Sequence, residues 1–158
     1  MNPDHRERVF GFDVGARRVG VACGSRLTGG AQPLELIPRP ADEFDWLALD
    51  RLVREWRPDA LVVGLPLTLD GGEQTASTLA RTFGARAATR YALPVIFQDE
   101  RHSSQEAATR FAAARRDGTR RRRDAATLDS LAAVIIVERF FAGPLPPMPV
   151  SPSTHKDR

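Results

Sequence analysis

The run Val9-Phe10-Gly11-Phe12-Asp13-Val14-Gly15-Ala16-Arg17-Arg18-Val19-Gly20-Val21-Ala22 decides the fold. Two apolar segments flank a Gly-Ala-Arg-Arg turn, and apolar segments bounded by turn residues read as buried strands. Gly15 and Gly20 lack a Cβ, which permits a tight turn and the close approach of a ligand. One acid, Asp13, interrupts the first segment. An ionised carboxylate in a buried strand is costly unless it is paired, hydrogen-bonded or bound to a metal. Asp13 therefore either opens the turn, where aspartate is common, or answers to a cation.

Outward from this run, strands are expected at 9–13 and 19–24, and a third around 34–37 ahead of a proline-rich loop. Three strands joined by short turns make an antiparallel meander. The period then changes. Trp46, Leu47, Leu49, Leu52, Val53 and Trp56 fit one face of a helix over 45–56 that Pro58 ends. The fully apolar run 60–65 reads as a central parallel strand. A helix over 75–90 follows, with Leu79, Phe83 and Ala87 four apart, then a strand over 93–100. Ser103 or Ser104 caps an expected helix reaching about 115. The last helix spans 124–141 and stops at Gly143-Pro144.

This order predicts an α/β fold: a mixed sheet of three antiparallel strands followed by parallel strands, with helices on both faces. Ligands of such sheets gather at the carboxyl ends of the parallel strands. Residues 1–8 read as a flexible lead, 9–143 as one domain, and 144–158, rich in proline and small polar residues, as a disordered tail.

The chain has 158 residues, 42% hydrophobic and 27% charged, as in an ordinary globular domain. No apolar run reaches the length of a membrane span, and the charged start is unlike a signal peptide. The expectation is a cytoplasmic protein with no membrane partner. The single cysteine, Cys23, excludes an internal disulfide and a cysteine zinc cage, and reads as a small buried residue. The net charge is +3, carried almost wholly by arginine. Arginine's planar fork suits phosphate, and residues 120–123 are four consecutive arginines. This balance is compatible with a nucleic-acid partner without requiring one.

Three acids stand where structure alone would not choose acids. Asp13 lies in the first strand, Asp99-Glu100 closes the last one, and Asp129 interrupts a helix rich in alanine and isoleucine. Strand alternation sends Asp99 and Glu100 to opposite faces, so one of them joins a given site. Helical spacing puts Asp129 on the face of Ala125, Ala126, Ala132, Ala133 and Ile136, where small residues would allow close approach to the sheet. Carboxylates converging at strand ends repel one another unless a cation neutralises them, and hard oxygen ligands suit Mg²⁺ or Mn²⁺. Such ions can bind a scissile phosphate and activate water. Each acid also has a plain structural reading, as turn residue, ion-pair partner of Arg101, or solvated helix position.

Arg17 and Arg18 stand beside Asp13, Arg101 follows Glu100, and Arg121 and Arg122 lie in the basic run; all are candidate phosphate contacts. A serine or histidine nucleophile at His102, Ser103 or Ser104 would need a positioned third group, and no Gly-x-Ser-x-Gly elbow is present. The glycine-rich segments match neither the P-loop nor the dinucleotide fingerprint. An ATP-binding fold of the actin or hexokinase kind also begins with an Asp-x-Gly turn, but normally needs a longer chain with duplicated domains.

Four ordered segments carry a more specific signal: 13–22 in the first strand pair, Val63-Gly64-Leu65-Pro66-Leu67, Asp99-Glu100-Arg101-His102-Ser103-Ser104, and the segment 129–136 that begins Asp129-Ser130-Leu131. In order and spacing they resemble the YqgF family, bacterial proteins described both as Holliday junction resolvases and as pre-16S rRNA nucleases. The resemblance covers about residues 9–141. It implies an RNase H-like fold and a divalent-metal nuclease acting on structured nucleic acid, pre-rRNA or branched DNA. By position it assigns Asp13, Glu100 and Asp129 as the catalytic metal ligands, preferring Glu100 to Asp99, and matches Arg18 and Arg101 to the family's basic positions. The expected role is 5′-end maturation of pre-16S rRNA in ribosome biogenesis. The alternatives are a junction resolvase in DNA recombination and repair, or a nucleic-acid-binding maturation factor without catalysis of its own. A resolvase would be expected to act as a homodimer, since it cuts two strands symmetrically; an rRNA-processing enzyme need not. The chain departs from the family at His102 and at Ser104, where threonine is usual. A related resolvase family carries an acid on the central strand, whereas here that strand reads Val62-Val63-Gly64-Leu65.

Overall fold

The central run folds as a hairpin of two strands, β1 (Arg8–Val14) and β2 (Arg18–Ser25). Their register pairs Phe10 with Cys23, Asp13 with Gly20 and Val14 with Val19. β3 (Gly30–Pro38) completes the antiparallel meander and begins earlier than the apolar residues alone predict. The structure, a computed structural model of the 158-residue chain, describes residues 7–68, 70–99, 125–143 and 149–150, with the backbone alone for 125–130 and 149–150.

After β3 the chain makes a 3₁₀ turn (Pro40–Asp42) and enters α1 (Trp46–Trp56). The Asp45 carboxylate caps α1 by accepting from the Ala48 N–H at 3.1 Å. Arg57, in the left-handed region, ends the helix, its N–H closing on the Val53 carbonyl one residue before Pro58. β4 (Ala60–Leu65), α2 (Thr75–Tyr91) and β5 (Val95–Asp99) follow. Beyond them are α3 (Ala125–Ala142) and a two-residue strand, β6 (Pro149–Val150). β6 pairs antiparallel with β5 inside the stretch that composition alone reads as a disordered tail. Its proline is tolerated because the strand is at an edge.

The sheet order is β3-β2-β1-β4-β5-β6, with β1, β4 and β5 parallel and β2, β3 and β6 antiparallel to their neighbours. Strand alternation divides the core into two layers. On one face Phe10, Phe12, Val14, Leu61 and Val63 pack with Leu49 and Leu52 of α1 and Phe83 of α2. Phe83 is fully buried, against Phe12, Phe44 and a stacked Trp46. Burial of a ring of this size is worth roughly 1.5–3 kcal/mol. On the other face Val9, Ala22, Ala60, Val62 and Ile96 pack with Ala133, Val134, Ile136, Val137 and Phe140 of α3. Helices thus cover both faces, as the sequence order predicts. Leu47 departs from the expected apolar face of α1 and is 78% exposed. Cys23 is buried, as expected, and desolvation pushes its thiol above the usual range, against a smaller opposing effect of Arg8.

α3 reaches the sheet at glycines. A Cβ on Gly11 would stand 2.3 Å from Val137 Cγ2 and 2.9 Å from the Ala133 carbonyl; one on Gly24 would stand 2.4 Å from Val137 Cγ1. Only a strand surface without side chains at these two points lets the helix lie this close.

Candidate active site

Asp13 belongs to the α3 face. On β1, Val9 points into the α3 layer and Gly11 lies directly under that helix, so alternation carries Asp13 to the same side. It is half-buried, near the carboxyl end of the strand. Beside it is an open cleft of about 340 Å³ lined by Asp13, Gly15, Arg17, Arg18, Gly20 and Leu36. Arg17 and Arg18 are exposed, so the hairpin turn presents a carboxylate and two guanidinium groups at one opening.

The neighbouring strands supply the floor. β1 pairs Phe12 with Val63, and β4 pairs Gly64 with Gln98 and Leu65 with Asp99. One step beyond the Phe12–Val63 pair, Asp13 falls level with Gly64 and then Gln98. Ala60 and Val62 precede Gly64 on the α3 face, and Ile96 precedes Gln98. Gly64 thus puts no side chain between β1 and β5 in this row. Asp99 alternates to the opposite face, with Phe97 and Val95.

Residues 64–67 leave β4 at the same end. The buried Ser77 hydroxyl donates to the Pro66 carbonyl and accepts from the Gln74 N–H at 3.0 Å, tying this loop to the start of α2. Further on, Gly72 N–H donates to Thr68 Oγ1 at 2.8 Å and Thr68 N–H to the Gly72 carbonyl at 2.9 Å. Arg81 forks onto Glu73 at 2.7 and 3.2 Å and lies over the Phe97 ring. The hydrogen bond from Arg81 holds the Glu73 carboxyl below its usual range.

Towards its start, α3 crosses from β2 to β1. Its Val137 lies over both Gly24 and Gly11, and its Ala133 over Gly11. Gly24 pairs with Val9, so moving from Val9 to Gly11 on the strand corresponds to moving towards the start of the helix. Another two strand residues, roughly 6.6 Å, reach Asp13. Another helical turn, roughly 6 Å, reaches the backbone of position 129.

Of the residues singled out from sequence, Asp13, Arg17 and Arg18 are brought together. Glu100, Arg101, Arg121 and Arg122 lie outside the described residues, as does the helix expected from Ser103. Asp129 is described by its backbone on α3. Among the described residues no three histidine, cysteine, aspartate or glutamate side chains group as a metal site. No helix among them is long and apolar enough to cross a membrane. Sequence reading misses Arg39, whose guanidinium donates to the carbonyls of Gly15 at 2.9 Å, Ala16 at 3.0 Å and Asp42 at 2.6 Å. Its neighbours Pro38 and Pro40 are the only signal, and they mark a fixed turn rather than a site.

Residues 7–143 match the family model described as "RuvX: Holliday junction resolvase". The chain is 56% identical over 136 residues to proteins of Xanthomonas euvesicatoria pv. vesicatoria and Xanthomonas axonopodis pv. citri, each named "Putative pre-16S rRNA nuclease". These alignments cover 86% of this chain and 88% of each relative. Among solved structures, Thermus thermophilus RuvC in complex with a Holliday junction substrate superposes with a TM-score of 0.53 at 19% identity. That match covers 89% of this chain and 99% of RuvC, and a second T. thermophilus RuvC structure superposes with a TM-score of 0.50 at 15% identity. The shared architecture is RNase H-like, and the family match over residues 7–143 makes this chain a member of the RuvX (YqgF) family.

Proposed function

We propose that this protein is a metal-dependent endonuclease that hydrolyses phosphodiesters in structured nucleic acid, and that it matures the 5′ end of pre-16S rRNA. The observation that carries the reading is the placement of Asp13 on the α3 face beside Arg17 and Arg18. The pre-16S rRNA nuclease name of its 56% identical Xanthomonas relatives supports the substrate.

Asp13, Glu100 and Asp129 would hold the metal. Strand alternation continued past Gln98 would send Glu100 to the side of Asp13, and Asp129 lies one helical turn before Ala133, which covers Gly11, the position two before Asp13. Their donor set is hard carboxylate oxygen, which fits Mg²⁺ or Mn²⁺. When bound, such a cation supplies charge neutralisation at the scissile phosphate and an acidified water. The side chains of this chain do the rest. Arg17 and Arg18 draw the phosphate backbone to the opening, and Arg101, Arg121 and Arg122 would add further phosphate contacts. Gly64 adds no side chain of its own to the row between Asp13 and Gln98.

Cleavage of a 5′-extended pre-16S rRNA fragment and of a four-way DNA junction, each with Mg²⁺ or Mn²⁺, tests this. Wild-type protein is expected to cut the RNA, and Asp13→Asn to lose at least about 100-fold of that rate with an unchanged melting temperature, since one ligand of the proposed site is neutralised. Metal-dependent cleavage surviving in Asp13→Asn would remove Asp13 from the site. Cleavage of the junction alone would favour a second reading, a resolvase, which the family description and the RuvC-like fold support. That reading also requires a homodimer.

A further inference from the structure

The turn that carries Arg17 and Arg18 has a clamp. Arg39 donates from Nη1 to the carbonyls of Gly15 at 2.9 Å and Ala16 at 3.0 Å, and from its backbone N–H to the carbonyl of Arg17 at 2.8 Å. All three carbonyls of the turn therefore point at one residue. Gly15 N–H closes the same turn on the Arg18 carbonyl at 2.9 Å.

Arg39 is itself held from three sides. Its guanidinium lies over the Phe44 ring, 4.3 Å from the centroid, and Nη2 donates to the Asp42 carbonyl at 2.6 Å. Pro38 and Pro40 flank it, and its φ and ψ are −116° and 77°, away from the helical region that a following proline disfavours. The 3₁₀ turn places Ala41 and Asp42 at φ of 56° and 62°, a left-handed geometry that non-glycine residues adopt only when their surroundings enforce it. This rigidity costs conformational freedom and places the fork where a flexible lysine could not hold two carbonyls and a ring at once. Nε is buried, with no hydrogen-bond partner among the described residues, so the forked end and the ring contact define the role.

The trans peptide adds a consequence. A carbonyl and the following N–H point in opposite directions across a planar peptide. With the Gly15 and Ala16 carbonyls turned to Arg39, the Ala16 and Arg17 N–H groups turn away from it. Ala16 and Arg17 line the cleft that contains Asp13, and Arg39 does not. Successive N–H groups at a turn are a favourable place for an anion.

We propose that Arg39 is a positioning residue for phosphate binding: it clamps the 15–17 turn and so fixes Arg17, Arg18 and the turn's N–H groups relative to Asp13. It acts through the turn and does not touch the nucleic acid. This rests on the reading above that Arg17 and Arg18 bind phosphate.

The test measures affinity for a fluorescent 5′-extended pre-16S rRNA fragment across a salt series, with EDTA present so that no strand is cut. The proteins are wild type, Arg17→Ala with Arg18→Ala, Arg39→Ala, Arg39→Lys, and Arg39→Ala combined with the two turn substitutions. The turn double variant is expected to weaken binding about ten-fold and to lower the slope of log affinity on log salt by about 0.7 to 0.9 for each phosphate it no longer neutralises. Arg39→Ala is expected to reproduce most of both changes, and to add less than about two-fold in the combined variant, as expected of residues acting through one element. Arg39→Lys keeps the charge but not the fork, and is expected to behave like Arg39→Ala. It is also the variant least prone to unfold, as a thermal melt would verify. Wild-type slope in Arg39→Lys, or losses that add in the combined variant, would overturn the clamp while leaving the phosphate role of the turn intact. An unchanged slope in the turn double variant would overturn both.

Discussion

Gly11 on β1 and Val137 on α3 meet where no side chain fits between strand and helix: a Cβ on Gly11 would lie 2.3 Å from Val137 Cγ2. The Ala133 carbonyl would lie 2.9 Å away, so the obstruction is backbone as well as side chain. Gly11→Ala is therefore expected to lift α3 off the sheet and destabilise the protein by about 1–3 kcal/mol, the usual cost of overpacking. Because α3 carries position 129, nuclease activity should fall further than stability explains. Val137→Ala in the same chain should restore part of the stability by relieving the side-chain clash, leaving the clash with the carbonyl. Denaturant unfolding and cleavage rates of wild type and the two variants check both parts; a neutral Gly11→Ala would show that the helix can shift freely.

Ser77 is fully buried and bridges the Pro66 carbonyl and the Gln74 N–H. Ser77→Ala removes the bridge and leaves a donor and an acceptor without it, at an expected cost of about 1–3 kcal/mol. For a domain of this size that is a fall in melting temperature of about 2–4 °C per kcal/mol. Gly64 stands level with Asp13 at the end of β4, so loosening the loop that follows should raise KM for the RNA while the metal dependence of cleavage stays as in wild type. A thermal melt with a KM measurement distinguishes this from an inert surface change.

The hairpin run could be read because its two apolar segments and its turn are local signals. The same holds for the buried strand at 60–65 and for the period of α1, with Leu49 and Leu52 inside. Long-range geometry could not be read. Gly11 and Gly24 look like any strand glycines until α3 is laid across them, and nothing in the spacing of Val137 announces which glycine it meets. Leu47 fits the apolar face by helical angle yet is exposed, because the neighbouring core closes over Leu49 and Leu52 instead. In the site, Asp13 stood out because an acid in a buried strand is costly. Arg39 did not, since an arginine between two prolines reads as surface until its partners 24 and 23 residues away are in place. β6 escaped notice because two residues in a proline-rich stretch carry no periodicity.

The arginine run at 120–123 gives a prediction independent of the hairpin turn. If Arg121 and Arg122 bind phosphate, Arg121→Ala with Arg122→Ala weakens RNA binding and lowers its salt slope by about 0.7 to 0.9 for each phosphate left without its arginine. A thermal melt is expected to match wild type, so that the change is one of binding and not of folding. Titrations at several salt concentrations measure it. A slope equal to wild type would make this run an ordinary solvated segment.

On the far side of the sheet from Asp13, Asp50 of α1 joins two residues of α2. Arg90 donates to its two oxygens at 2.8 and 2.6 Å, and the Tyr91 hydroxyl donates at 2.7 Å. The hydrogen bond from Arg90 is the main cause that holds the Asp50 carboxyl down at about 2; the Tyr91 bond adds to it and partial burial opposes both. An aspartate in the unfolded chain titrates near 3.9. The folded value is the lower one, so the contribution to stability is complete above about pH 4 and is lost as pH falls towards 2. Asp50→Asn should therefore be less stable than wild type at neutral pH, with a gap that narrows across that acid window and closes below it. The Arg90 side chain is 42% exposed, which keeps the effect modest and makes it shrink in high salt. Tyr91 titrates in the opposite sense. Burial is the main cause that pushes its hydroxyl above the usual range, helped by Asp50, so its contribution is present below about pH 10 and fades as the phenol ionises. Tyr91→Phe should remove the alkaline loss and keep the acid one. Denaturant midpoints measured from pH 2 to 11 separate the two, and a pH-independent gap between wild type and Asp50→Asn would show that the cluster acts by packing alone.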